Sequence, residues 1–206
     1  MHLPPAPLPQ TASMAHVSAS GLHDDNCVLI SEDEVVFLTD FRDETDVSEK
    51  ERATPSAGWS VVEFNPATCP NIVIEEAAVA EFQVAKMNIH GTIPTSLTIC
   101  TSLVHINISN NKLHGPLPEA IGDLRALQTL WANDNLLSGE IPPRLAECTA
   151  LVKLSLACNQ FVGSVPPGLM AIQSLVALDC FGNLLENCED MQREFQAKMK
   201  WCHVYI

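Results

Sequence analysis

Basic side chains are scarce in this 206-residue chain: 11 Lys and Arg stand against 25 Asp and Glu, a formal net charge of −14. A nucleic-acid surface needs a basic footprint to neutralise phosphates, so that class of partner is excluded. The deficit is uneven, with 14 acids and 3 bases in residues 1–78 against 11 acids and 8 bases in residues 79–206. No apolar run approaches the roughly 18 residues of a membrane span. Residues 1–21 hold no Lys or Arg and are broken by four prolines, so they lack the charged start and apolar middle of a secretory leader. Aromatic residues make up only 5% of the chain, with one Tyr and three Trp, so an exposed one is informative. The eight Cys include no C-x-x-C pair, which leaves a zinc site without its usual spacing. P-loop, kinase, HExxH and hydrolase-elbow motifs are all missing. These absences read as a non-enzymatic chain without a cofactor.

What is present is a period. Segments beginning at Val79, Leu103, Leu127 and Leu151 superimpose at a spacing of 24 residues, and Leu175 opens a partial fifth copy. Counting each start as position 1, positions 4 and 6 hold Phe82 and Val84, Ile106 and Ile108, Leu130 and Ala132, Leu154 and Leu156. Two residues apart, they share one face of a short strand, and their apolar character turns that face inward. Positions 11, 15 and 19 are apolar as well, as in Leu113, Leu117 and Ile121. One coil cannot cover these groups alone, but stacked neighbours bury them in a continuous core. Position 9 is Asn in four copies, Asn111, Asn135, Asn159 and Asn183, and an amide with donors and an acceptor suits the backbone leaving the strand. Stacked rung on rung, these amides are expected to form a ladder. Gly at position 13 and Pro at position 16 suit a sharp return turn.

The motif Leu-x-Gly-x-Ile-Pro within a 24-residue unit appears here as IHGTIP, LHGPLP, LSGEIP and FVGSVP. It resembles the plant-type subclass of leucine-rich repeats, found in receptor-like kinase ectodomains and polygalacturonase-inhibiting proteins. The resemblance covers Val79 to about Leu185, roughly half of the chain. It implies an α/β solenoid: a leucine-rich-repeat horseshoe with a short parallel concave sheet, a helical N-cap and a C-terminal capping helix. It also implies recognition of a protein, peptide or glycan without catalysis, and a secreted or cell-surface location. An enzyme inhibitor of the polygalacturonase-inhibitor type and an intracellular repeat scaffold, which the missing leader favours, are the alternatives.

The chain divides into a disordered Pro-rich lead (1–22), an N-terminal cap (23–78), the repeats (79–186) and a C-terminal cap (187–206). Ser31 and Glu34 form a capping-box pattern ahead of a helix over Glu32–Phe41. With Trp59 and Cys69, this order resembles the N-terminal cap of the plant-type family, and Cys27–Cys69 is a possible bridge there. Met191, Phe195 and Met199 recur at i+4 and predict an amphipathic lid helix. Cys188–Cys202 could bridge only if the chain folds back between them. Cys100, Cys148 and Cys180 fall at interior positions and read as small core residues.

Odd positions 3, 5 and 7 of each strand point away from the core, onto the concave side. Trp131 stands at the middle of the middle strand, where no core rule asks for an aromatic. Aromatics near the centre of an interface commonly carry about 2 kcal/mol or more of binding energy. Trp131 is the expected anchor for a partner, with His105, Asn107, Thr129, Asn133, Asp134, Lys153, Ser155 and Asp179 around it. Phe181, on the last rung, is expected to pack under the C-terminal lid. His90 and His114 share position 12 on adjacent coils, about 5 Å apart if coils stack like strands, and read as solvated turn residues. Cys158, at position 8, has its nearest same-face His, His105, two coils away, about 10 Å, too far for a base. Asn107-Ile108-Ser109 matches a glycosylation sequon, though Asn107 lies within a strand.

Overall fold

The computed structural model describes the backbone of residues 14–16, 29–31, 45–46, 72–75, 78–186 and 188–206, and side chains from Ala80 onward except residue 187. Trp59, Cys27, Cys69 and the helix expected over Glu32–Phe41 lie outside the described residues.

The repeats wind as parallel rungs. Backbone at positions 3–5 forms β7 (His105–Asn107), β9 (Thr129–Trp131), β11 (Lys153–Ser155) and β13 (Ala177–Asp179), and the longer β5 (Ala78–Gln83) precedes them. Each pairs in parallel with the residue 24 positions on: Glu81 with His105, His105 with Thr129, Thr129 with Lys153, Lys153 with Ala177. Equal positions therefore stand beside each other along this concave sheet. Phe82, Ile106, Leu130, Leu154 and Leu178 turn inward and are buried, together with the apolar residues of positions 1, 6, 11, 15 and 19 from Val84 to Cys180. One continuous cluster runs from Phe82 to Val204, which is how a stack of coils replaces a globular centre.

Three residues past each strand, position 8 lies in the left-handed region: φ is 60° at Lys86, 57° at Asn110, 55° at Asp134, 54° at Cys158 and 73° at Gly182. The turn delivers the position 9 amide beneath the strand. Asn135 accepts from the Leu113 amide at 3.0 Å and donates to the carbonyls of Ile108 at 3.0 Å and Ala132 at 3.2 Å. Asn111, Asn159 and Asn183 repeat the pattern, each bonding the coil before it as well as its own. The amides bond backbone, not one another. They stitch coil to coil.

A second parallel sheet, absent from the sequence reading, runs along the return side. Its strands are β6 (His90–Thr92), β8 (Lys112–Gly115), β10 (Leu136–Glu140), β12 (Gln160–Gly163) and β14 (Leu184–Leu185). Here the register is 22 residues, not 24, so Gly91, Gly115, Gly139 and Gly163 face Leu113, Leu137, Phe161 and Leu185 of the next coil. This stagger corrects the placement of the two histidines: His90 pairs with Lys112 and His114 with Thr92, so they are not side by side. Each position 16 Pro then starts a 3-10 turn, over Thr95–Ile99, Glu119–Asp123, Pro143–Glu147 and Pro167–Ala171.

Both sheets continue past the repeats. Among the N-terminal strands, β1 (Met14–His16) pairs antiparallel with β2 (Leu29–Ser31), β3 (Thr45–Asp46) with β6, and β4 (Ile72–Glu75) with β5. At the other end, helix α1 (Cys188–Lys198) has Glu189 and Asp190 in its first turn and Lys198 in its last, matched to the helix dipole. Phe195, together with Met199 just beyond the helix, is buried against the last coil. The chain then adds β15 (His203–Tyr205), a sixth repeat-type rung parallel to β13, where Ala177 meets His203 and Asp179 meets Tyr205. Cys188 and Cys202 are both free thiols. Phe181 does not pack under the lid: it is 66% exposed, because Phe195 and Met199 already fill that space.

Candidate functional site

The open face of the concave sheet is built from two rows. Position 3 contributes Glu81, His105, Thr129, Lys153 and Ala177, and His203 of the cap continues the row. Position 5 contributes Gln83, Asn107, Trp131, Ser155 and Asp179, continued by Tyr205. Position 7 belongs less to this face than its parity implies. Ser109 and Ala157 are buried and Asn133 is half-buried, since the strand is already bending toward the left-handed residue.

The rows divide into two halves at Trp131. On one side the polar groups are mutually satisfied. His105 Nδ1 lies 2.8 Å from Thr129 Oγ1, Gln83 donates to Glu81 at 2.7 Å, and Asn107 Oδ1 accepts from the Ser109 hydroxyl at 2.7 Å and its amide at 3.2 Å. Asn107 thus uses its side-chain oxygen to close the turn out of its strand. Asn133 donates to Asp134 at 2.7 Å, and this pair sits at the exit of β9, apart from the others.

On the other side Trp131, 37% exposed, and Tyr205, 59% exposed, bound a shallow depression of about 230 Å³. Lys153, Ser155, Ala177, Asp179 and His203 line it between them. Of the residues expected to surround Trp131, the structure brings Lys153, Ser155 and Asp179 into this slot; His105, Asn107, Thr129, Asn133 and Asp134 fall outside its lining. Sequence reading missed His203 and Tyr205 because α1 replaces the return turn and breaks the 24-residue count. A usable signal was there: Cys202, Val204 and Ile206 alternate with His203 and Tyr205, the period of a half-buried strand.

The chemistry on offer is that of contact. Cys158 is exposed, but desolvation and then the nearby Asp134 carboxylate push its thiol up, so the nucleophilic thiolate is disfavoured. Burial pushes the Cys148 thiol up to about 11 and the Cys180 thiol up to about 12, as befits core residues. Among the described residues no cluster of three or more His, Cys, Asp or Glu could hold a metal ion, and no helix is long and apolar enough to cross a membrane.

Comparison with known proteins agrees with this geometry. A family model described as Leucine Rich Repeat matches residues 102–124. A chain of the BIR3–SERK2 complex from Arabidopsis thaliana is 28% identical, with a TM-score of 0.63 over 74% of this chain and 82% of that one. The BIR2 ectodomain, also from Arabidopsis thaliana, is 25% identical, with a TM-score of 0.62 over 77% of this chain and 96% of its own. A plant ice-binding protein, at 21% identity, has a TM-score of 0.64 over 76% of this chain and 50% of that one, and shares the fold alone. A search of curated proteins gives no match. In its repeat motif, its in-step concave sheet and its structural neighbours, the chain is a leucine-rich-repeat solenoid similar to plant leucine-rich-repeat ectodomains.

Proposed function

We propose that the chain is a recognition module that holds a protein or peptide partner on the open face of its concave sheet, with Trp131 as the anchor. One observation carries the reading: a large aromatic stands exposed at the centre of a parallel sheet whose core positions are otherwise filled and buried. Burying an indole against a partner removes apolar surface from water at the point where interface energy concentrates. A relative at 28% identity is itself part of a complex between two proteins, which supports a protein or peptide over a free glycan. The face is held in place, since each strand bonds its neighbour through backbone and position 9 amides join the coils from β5 to β13, so little ordering cost is incurred on binding. Trp131→Ala tests this. The variant should melt within a few degrees of wild type yet bind the captured partner at least about tenfold more weakly by calorimetry; unchanged affinity in a folded variant removes the proposal.

A further inference from the structure

Away from the concave face, we infer that the outer side of the return-side sheet is a self-association surface, on which a second copy of this chain packs about a two-fold axis. Side chains alternate along β8, β10 and β12: Leu113, Leu137 and Phe161 are buried, and their neighbours face outward. Three of the outward groups are large and aliphatic, Leu136 at 45%, Val162 at 40% and Leu184 at 66% exposure. Nothing in the packing of the coil requires them there, and exposed apolar groups gathered on one face mark a contact surface. The register fixes their layout, with His114 beside Leu136, Ser138 beside Gln160, and Val162 beside Leu184. On that layout Lys112 and Glu186 stand at opposite corners, three strands apart and about 30 Å from each other. Both are exposed, and among the described residues neither forms an ion pair. At that separation they cannot pair within one copy.

A two-fold axis lying in the interface through Ser138 and Gln160, perpendicular to the line from Lys112 to Glu186, exchanges the two corners. Each Lys112 then meets Glu186 of the other copy, so the charge pair forms twice. The same operation lowers Leu136 onto the step between Val162 and Leu184, apolar on apolar. Ser138 and Gln160, on the axis, meet their own counterparts and can bond across it. Glu140 falls beside Pro116, both exposed, and meets no acid. Asp134 lies off the sheet on its left-handed turn, where it accepts from the Asn133 amide at 2.7 Å. An isologous interface must be complementary to itself in this way, and a face of one charge sign would repel its copy. The four strands β8 to β14 span about 19 Å across and about 17 Å along. That is well below an obligate interface, so the dimer is weak and depends on concentration. Trp131 and Tyr205 stand on the other sheet, so the dimer offers two concave slots to a bivalent partner.

Sedimentation equilibrium of the full chain from about 5 to about 500 µM tests this, the range in which a small interface associates. The weight-average mass should climb from that of one chain toward that of two. Lys112→Glu or Glu186→Lys alone should weaken association at least about tenfold, because like charges then meet at both symmetric contacts. Mixing those two variants should restore it, since every contact in the mixed dimer is again between opposite charges. Leu136→Ser should weaken association by removing the apolar contact. Each variant is first checked for the wild-type melting temperature, so that a loss of fold is not read as a loss of contact. A mass that stays at one chain throughout the range overturns the inference. So does association that all three variants leave unchanged, or a mixture that associates no better than either charge variant alone.

Discussion

The coil is decided by a few side chains whose work is to satisfy or bend backbone. Asn135 meets four backbone groups from two coils beside the apolar core, so Asn135→Leu leaves carbonyls and an amide without partners. Each orphaned group costs about 1–3 kcal/mol. The substitution should lower stability by about 3 kcal/mol or more, read from the urea midpoint at unchanged slope. Position 8 works in the opposite sense. Cys158 holds φ at 54°, a region that L side chains other than Asn and Asp adopt at a cost of about 1–2 kcal/mol. Cys158→Asn, the residue found at the same place two coils earlier as Asn110, should raise stability by up to about 1 kcal/mol, seen as a higher melting temperature. Sequence reading weighed Cys158, at position 8, as a nucleophile. It missed the left-handed turn because Lys86 and Cys158 interrupt the signal that Asn110, Asp134 and Gly182 carry at that position.

At the scale of elements, the period made the concave rungs legible, since inward and outward residues alternate around every strand. The lid helix was legible too, from the i+4 spacing of Met191, Phe195 and Met199. The return-side sheet was not. Its backbone pairs out of step by two residues per coil, and its apolar position 11 looks the same whether it lies in a strand or a turn. β15 was hidden by the helix inserted before it, and with it half of the slot. The convex side shows how tightly neighbouring turns meet: a Cβ added at Gly122 would run into the Arg144 carbonyl of the next coil. Gly122→Ala should therefore cost about 1–3 kcal/mol in chemical denaturation, although Ala is the better helix former. A tolerated Ala there would mean the two 3-10 turns are looser than described.

Across the whole molecule, stability is a sum over coils and their interfaces, so the free ends matter most. Phe195 and Met199 close the last coil, and the N-terminal strands β3 and β4 extend the two sheets at the other end. The cysteines give the stack a pH signature. Cys148 and Cys180 hold their protons to about 11 and about 12 when folded, while an unfolded chain releases them from about 9. The folded state binds more protons in that window, so stability should be intact below pH of about 9 and fall as pH rises toward about 12. Denaturation midpoints measured across that range check the sign. Exposed Cys158 plays little part in it, and among the six described cysteines maleimide should label that thiol first in the folded protein.

Recognition on the concave face is the central claim, and hydroxyl-radical footprinting tests it most directly. The full chain is oxidised alone and in complex with the partner it captures, and modification is read at Trp131, Tyr205 and Trp201. All three rings are exposed, but Trp201 is absent from the slot lining and binds the Leu175 carbonyl through its indole N–H at 3.1 Å. Protection of Trp131 and Tyr205, with Trp201 still oxidised at its free rate, is the expected result. Protection of Trp201 or of the convex turns, with Trp131 unchanged, would contradict it.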